Sequence, residues 1–284
     1  MNWSKILSKI YIAIIFLFLY APIVVLIVFS FNETKSRSVW KGFSLRWYQN
    51  LFHDDIILGA LVTSIEVAVL AAIISTIIGT AAAVGLKRMN KGLRSVMLTL
   101  NNIPMVNPDI VTGISMMLLF VAIFSATGLF RPGFVTLVIA HVTFCIPYVI
   151  LSVLPKLNQM NPSIYEAAQD LGCPPHKAFM KVVLPEIMPG IITGMMMAFT
   201  LSLDDFVISY FTSGSTAQTL PMVIYSMTKR RLSPKVNALS AIMFLIVLVL
   251  LVAINARQMK DQFGMRNSEF GMNQGKSATE KRVK

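Results

Sequence analysis

The chain has 284 residues, of which 55% are hydrophobic and 13% charged. Soluble domains carry roughly 25% charged residues, so the composition excludes an ordinary soluble enzyme and points to membrane spans, each needing about 18 or more apolar residues in a row. The formal charge of +12 lies in loops and the tail, as membrane topology demands, which argues against a nucleic-acid partner.

Six apolar segments are predicted, over 10–31, 60–86, 96–124, 134–154, 187–211 and 236–256. The first is too long for the apolar stretch of a signal peptide, and no small-residue cleavage site follows it. It reads as a retained span. The loop after it holds Trp40, Phe43, Trp47 and Tyr48. Aromatic rings beside a span favour the headgroup level, so an interfacial helix is expected there; the same surface could dock a partner. Segment two carries Glu66 near its outer end, where it can snorkel or touch a neighbouring subunit. Lys87, Arg88, Lys91 and Arg94 crowd the next loop. Cytoplasmic loops are enriched in Lys and Arg, so this loop argues for both termini in the cytoplasm.

The third segment is interrupted by Asn101, Asn102, Pro104, Asn107, Pro108 and Asp109. Broken backbone at membrane depth survives only where protein or a water-filled cavity satisfies it. Asp109 can cap the restarted helix or meet a solute. In the fourth segment His141 and Cys145 lie four apart, a poor metal site. No metal is assigned, and His141 reads as packed and hydrogen-bonded. Cys145 and Cys173, the two cysteines, do not read as a disulfide framework.

Residues 155–186 form the informative loop. Ser163 followed by Glu166 matches a capping box. Ala167 and Ala168 keep the helix narrow, and Gly172 suits the left-handed residue that ends it. Pro174 and Pro175 can open a second short helix. The expected product is a helix–turn–helix on the cytoplasmic face. In the fifth segment Asp204 and Asp205 diverge by about 100° on a continuous helix. Asp205 shares a stripe with Ser202, Ser209 and Thr212, which favours it for a polar cavity.

Glu166-Ala167-Ala168, three residues, Gly172, nine residues, then Val182-x-Leu184-Pro185 resembles the signature loop of ABC importer permeases, with Val182 in place of the usual Ile. Further motifs are Trp40-x-Gly42-Phe43-Ser44-x-Arg46-Trp47-Tyr48, Pro108-Asp109-Ile110-Val111, His141-x-Thr143-Phe144-Cys145, Leu201-Ser202-x-Asp204-Asp205, Leu220-Pro221-Met222-x-x-Tyr225-Ser226 and Ser233-Pro234-x-Val236-Asn237-Ala238-Leu239. Together they resemble the permease subunits of spermidine/putrescine ABC importers, of the PotC type, from about residue 10 to residue 257.

The resemblance implies an all-α membrane protein with six transmembrane helices and the type I ABC importer permease fold, in the bacterial cytoplasmic (inner) membrane. The permease domain would cover 1–257, with a polar basic tail over 258–284. A coupling loop, 156–186, would seat on the ATPase through Glu166, Ala167, Ala168, Gly172, Leu184 and Pro185. The implied partners are a dimer of ATPase subunits, a sister permease, an external polyamine-binding protein and the polyamine itself, all within membrane lipid. Of the acidic pair, the resemblance favours Asp204, so both remain candidates.

Polyamines carry two or more ammonium groups, which carboxylates and aromatic faces can hold in place of water. A carboxylate at mid-membrane costs about 2.5–3.5 kcal/mol on insertion scales, so it should face a cavity or a partner. The pathway candidates are therefore Asp109, Asp204 and Asp205, with the aromatic residues Tyr148, Phe206 and Tyr210. The nearest text to a Walker A motif, Gly271 to Ser277, has three residues between its glycines where the motif has four. The chain is read as a transport subunit and not an enzyme; no cofactor is expected on it, with ATP and Mg on the partner ATPase. The alternatives are an ABC permease for another cationic solute, or a stand-alone secondary transporter, a class that commonly shows internal repeats. No internal repeat is found.

Overall fold

The computed structural model describes residues 3–34, 39–230, 234–249 and 252. Those residues are helical or irregular, apart from one isolated bridge between Asn32 and Phe43. In chain order the helices are α1 (Trp3–Ser30), α2 (Arg46–Leu51), α3 (Asp55–Arg88), α4 (Lys91–Val106), α5 (Asp109–Thr127), α6 (Phe134–Gln159), α7 (Pro162–Asp170), α8 (Pro175–Ala178), α9 (Leu184–Asp204), α10 (Val207–Thr212) and α11 (Leu220–Arg230). A shorter apolar helix, α12 (Pro234–Val249), stands where the sixth segment is expected. Among the described residues, five stretches are long and apolar enough to cross a membrane: Leu7–Ser30, Asp55–Arg88, Asp109–Thr127, Phe134–Gln159 and Pro175–Asp204. Beyond residue 244 the described residues are 245–249 and 252, and they are helical. The tail over 258–284, the Gly271–Ser277 stretch and most of 250–256 lie outside the described residues.

Lipid is as apolar as leucine, so helices in a membrane associate through close packing more than through water exclusion. Small residues therefore sit where α3, α6 and α9 meet. A Cβ on Gly79 of α3 would fall 2.7 Å from Val149 of α6. On α9, Gly190 and Gly194 repeat at four-residue spacing against the same helix. A Cβ there would lie 2.9 Å from the Ser152 carbonyl oxygen and 3.2 Å from the Val149 Cα. Around these contacts Cys145, Val149, Val153, Ile187 and Ala198 are buried in one cluster.

The first loop is held by its own polar groups. Asn32 donates to the Val39 carbonyl (2.8 Å) and accepts from the Lys41 amide (3.1 Å). The Trp47 indole donates to the Asn32 carbonyl (2.7 Å). Trp47 and Leu51 of α2 are then buried with Ile57, Leu220, Val223 and Leu239. A helix stands where the interfacial one is expected, but its Trp47 faces protein, where its N–H finds a partner. Trp40 and Phe43 remain exposed.

One expected break is found and two expected boundaries move. The third segment, 96–124, is interrupted as its Asn and Pro residues predict. Asn107 and Pro108 are extended (ψ 137° and 133°), and Pro108 has no N–H to continue the ladder. This splits off α4, which has no buried residue and is tied at its start by Arg94 donating to Asn158 of α6 (3.1 Å). In the loop over 156–186, Ser163 is not the cap. Asn161 is: its Oδ1 accepts from the Ser163 amide (3.1 Å), and Pro162 fits the first helical position, which needs no donor. Gly172 does end α7, at φ +81°. The Gly172 and Cys173 amides donate to the Gln169 and Ala168 carbonyls (2.8 and 3.1 Å), the Schellman pattern. The helix opened by Pro175 is no separate second helix. It runs through a π turn, Phe179–Val183, into α9, so the fifth span covers Pro175–Asp204 rather than 187–211.

Candidate functional site: a broken helix with an acidic and aromatic rim

The fifth span stops at Asp204, and α10 restarts at Val207. Asp205 lies between them with extended backbone (ψ 126°), so Asp204 and Asp205 do not share a continuous helix. The Asp205 carboxylate accepts from the amides of Ile208 (3.3 Å) and Ser209 (2.8 Å). It thereby caps α10, whose first amides have no partner of their own. The His141 ring, 1% exposed, lies 3.5 Å from the same carboxylate. The expected stripe of Ser202, Asp205 and Ser209 does converge, but on His141 inside the protein and not on an open cavity. Asp204 is exposed.

Beside the break lies an aromatic cluster. Phe206 and Tyr210, both expected, sit with ring centroids 5.5 Å apart. Tyr225 of α11 joins them, 4.4 Å from Phe206 and 6.4 Å from Tyr210. The Lys229 ammonium stands 4.7 Å from the Tyr225 ring centroid. A hydrogen bond with Tyr225 holds its pKa above the usual lysine range. Tyr225 and Lys229 were not among the expected site residues. Their spacing of four on one helix makes them neighbours, but the contact between Tyr225 and Phe206 is long-range and carries no local signal.

Asp109 is the first residue of α5, whose N-cap, Pro108, makes no side-chain capping bond. It is exposed and sits at a helix N-terminus, where the macrodipole favours its charge. Tyr148 of α6 is half-buried, its ring centroid 5.5 Å from that of Phe144. α5 also seats α10: a Cβ on Gly113 would lie 2.9 Å from the Phe211 ring. Glu66 is exposed on α3. Among the described residues no group of three or more His, Cys, Asp or Glu could hold a metal ion, and both cysteines are free.

At the other end of α6, Glu166 and Ala167 of α7 are exposed, Ala168 and Leu184 are half-buried, and Gly172 and Pro185 are exposed. Behind α7 a cavity of about 230 Å³ is lined by Lys87, Arg88, Leu157, Tyr165, Glu166 and Phe179. At the tip, Leu171 is 88% exposed and Ile164 is also open. Such protruding apolar side chains on a short rigid element suit a partner groove.

The comparisons agree with this architecture. Residues 75–258 match the family described as "Binding-protein-dependent transport system inner membrane component". The putrescine transport system permease protein PotI of Escherichia coli K12 is 45% identical over 80% of this chain and 82% of its own length. The spermidine/putrescine transport system permease protein PotC of Haemophilus influenzae is 37% identical over 87% of this chain and 94% of its own. A chain of a bacterial ABC transporter involved in the import of the acidic polysaccharide alginate superposes with a TM-score of 0.72 over 91% of this chain and 96% of that one, at 15% identity. Helical throughout its described spans, with a split fifth span and an exposed loop between the fourth and fifth, and matched over these lengths, the chain belongs to the family of binding-protein-dependent transport system inner membrane components.

Proposed function

We propose that the chain is the permease subunit of an ATP-driven importer for polyamines, spermidine or putrescine. It forms half of the translocation pathway and leaves ATP hydrolysis, with its Mg, to a separate ATPase dimer. The observation that carries the cargo is the rim of the break: exposed Asp204 stands two residues before Phe206, which belongs to a cluster of three rings, and one of these, Tyr225, already holds a primary ammonium, that of Lys229. A polyamine ammonium matches that ammonium in charge and hydrogen-bond donors. The relatives named for putrescine and spermidine transport support the same cargo.

A sister permease completes the pathway, and an external binding protein delivers the substrate. Both termini lie in the cytoplasm, as the bases at Lys87, Arg88, Lys91 and Arg94 favour. α7 then lies on the cytoplasmic face, where Leu171 and Glu166 meet the ATPase. Closure of the ATPase pair would tilt α6 and α9 together through α7, a rigid-body movement. The test is uptake of labelled putrescine and spermidine by the assembled complex carrying Asp109→Asn and Asp204→Asn. Uptake should be lost while the subunits still copurify. Wild-type uptake by the double variant would remove these residues from the pathway.

A further inference from the structure

The geometry points to His141 as a positioning residue that staples the two halves of the broken fifth span, α9 and α10, into the arrangement that presents the acidic and aromatic rim. His141 belongs to neither half; it projects from α6. Its Nδ1 lies 2.6 Å from Ser202 Oγ, two residues before the end of α9. Its Nε2 lies 3.0 Å from Ser209 Oγ, in the first turn of α10. All three side chains are buried.

The donors form one consistent chain. The Ser209 hydroxyl donates to the Asp205 carbonyl (3.2 Å), so its oxygen accepts from the ring, and Nε2 carries the hydrogen. Nδ1 is then the acceptor, and the Ser202 hydroxyl donates to it. An imidazole neutral in this tautomer satisfies both serines. The nearby Asp205 carboxylate, 3.5 Å from Nε2, favours the hydrogen on that nitrogen.

The staple is needed because the backbone ladder stops at the break. Among the described residues the Asp205 carboxylate accepts hydrogen bonds from α10 amides and none from α9, so it does not by itself fix the angle between the halves. α6 fixes it at two heights: His141 grips Ser209, and Thr136 Oγ1 donates to the Thr212 carbonyl (2.8 Å). With Asp205 held inward, Asp204 is left on the exposed side and Phe206 against Tyr225. A small misplacement of such groups costs transport far more than it costs folding.

This assignment deepens the polyamine-permease reading, and its consequence for uptake rests on it. The experiment compares His141→Leu, which removes both bonds, with His141→Gln, whose carbonyl can accept from Ser202 and whose amide can donate to Ser209. Both are made in the complete complex. His141→Leu should lower uptake by about tenfold or more while the subunits copurify in normal amounts and ATP hydrolysis persists; Gln should restore uptake to within about threefold. Ser202→Ala and Ser209→Ala should each reproduce the Leu defect, and the double variant should add nothing, because one chain of contacts is broken once. A second readout needs no cargo. A cysteine placed at Ile208, in a Cys173→Ser background, should react with a maleimide about tenfold faster in the Leu variant and at the parent rate in the Gln variant, as loosening of α10 requires. Equal labelling in Leu and Gln variants, or additive serine effects, would overturn the staple. A wild-type complex that carries no polyamine while labelling follows the expected order would sink the cargo and leave the staple standing.

Discussion

Changing each member of the acidic pair to asparagine should give opposite defects. Asp204 is exposed, and its carboxylate makes no bond among those described that holds the fold. Asp204→Asn should therefore leave assembly intact. What it removes is a charge-assisted bond to an ammonium, worth about 1.5–3 kcal/mol. At 1.4 kcal/mol per tenfold, apparent affinity for polyamine in uptake should fall by about 10- to 150-fold. Asp205 is engaged on two amides, at 2.8 and 3.3 Å. Asparagine keeps one acceptor and turns its NH₂ toward the other amide, leaving a donor facing a donor. The cost should be about 1–3 kcal/mol, felt as less assembled complex and earlier thermal unfolding. Uptake normalised to assembled complex separates the two outcomes. An Asp205→Asn complex that assembles normally but transports poorly, with an Asp204→Asn complex that fails to assemble, would refute the reasoning.

Lys229→Gln removes an ammonium that competes for the Tyr225 ring. The contact is solvent-exposed and therefore weak, so uptake should saturate at a polyamine concentration about two- to fivefold lower. Because the bond with Tyr225 raises the Lys229 pKa, the effect should not fade between neutral and mildly alkaline pH. Leu171→Asp puts a charge at the apolar tip of the coupling loop. Loss of such an anchor commonly costs 2 kcal/mol or more, so ATPase copurification should fall by about tenfold or more with normal insertion of the chain. Asp54→Asn keeps the cap on α3 but breaks the contact with Lys235 at the start of α12. That contact, chiefly, holds the Asp54 pKa below its usual 3.8. The stabilisation is therefore present above pH 3.8 and lost as pH falls through the lower folded value. Solvent screening limits it to about 0.2–1 kcal/mol, or at most about 3 °C in detergent melts at pH 7. Wild type and variant should converge on acidification.

Much of this architecture was legible before the structure. Long apolar runs marked the spans, Pro108 marked the break before α5, and Gly172 marked the end of the coupling helix because only a left-handed residue closes it. The errors have physical causes. Ser163 and Glu166 matched a capping box, yet the adjacent Asn161-Pro162 pair supplies both a better cap and a first residue that needs no donor. The break at Asp205 has no Pro or Gly to announce it. Its one local signal is an aspartate three and four residues before the amides it caps, which also fits an ordinary helix surface. Tyr225 and His141 owe their roles to contacts across the fold, with Phe206 and with Ser202 and Ser209, and pairing of that kind leaves no trace in spacing.

The most direct test is reconstitution. The chain, its sister permease, the ATPase and the binding protein would be purified together into liposomes with ATP on the ATPase side. Labelled putrescine or spermidine should move inward, and that movement should require both ATP and the binding protein. Polyamine uptake by this chain alone, driven by an ion gradient without the ATPase, would contradict it.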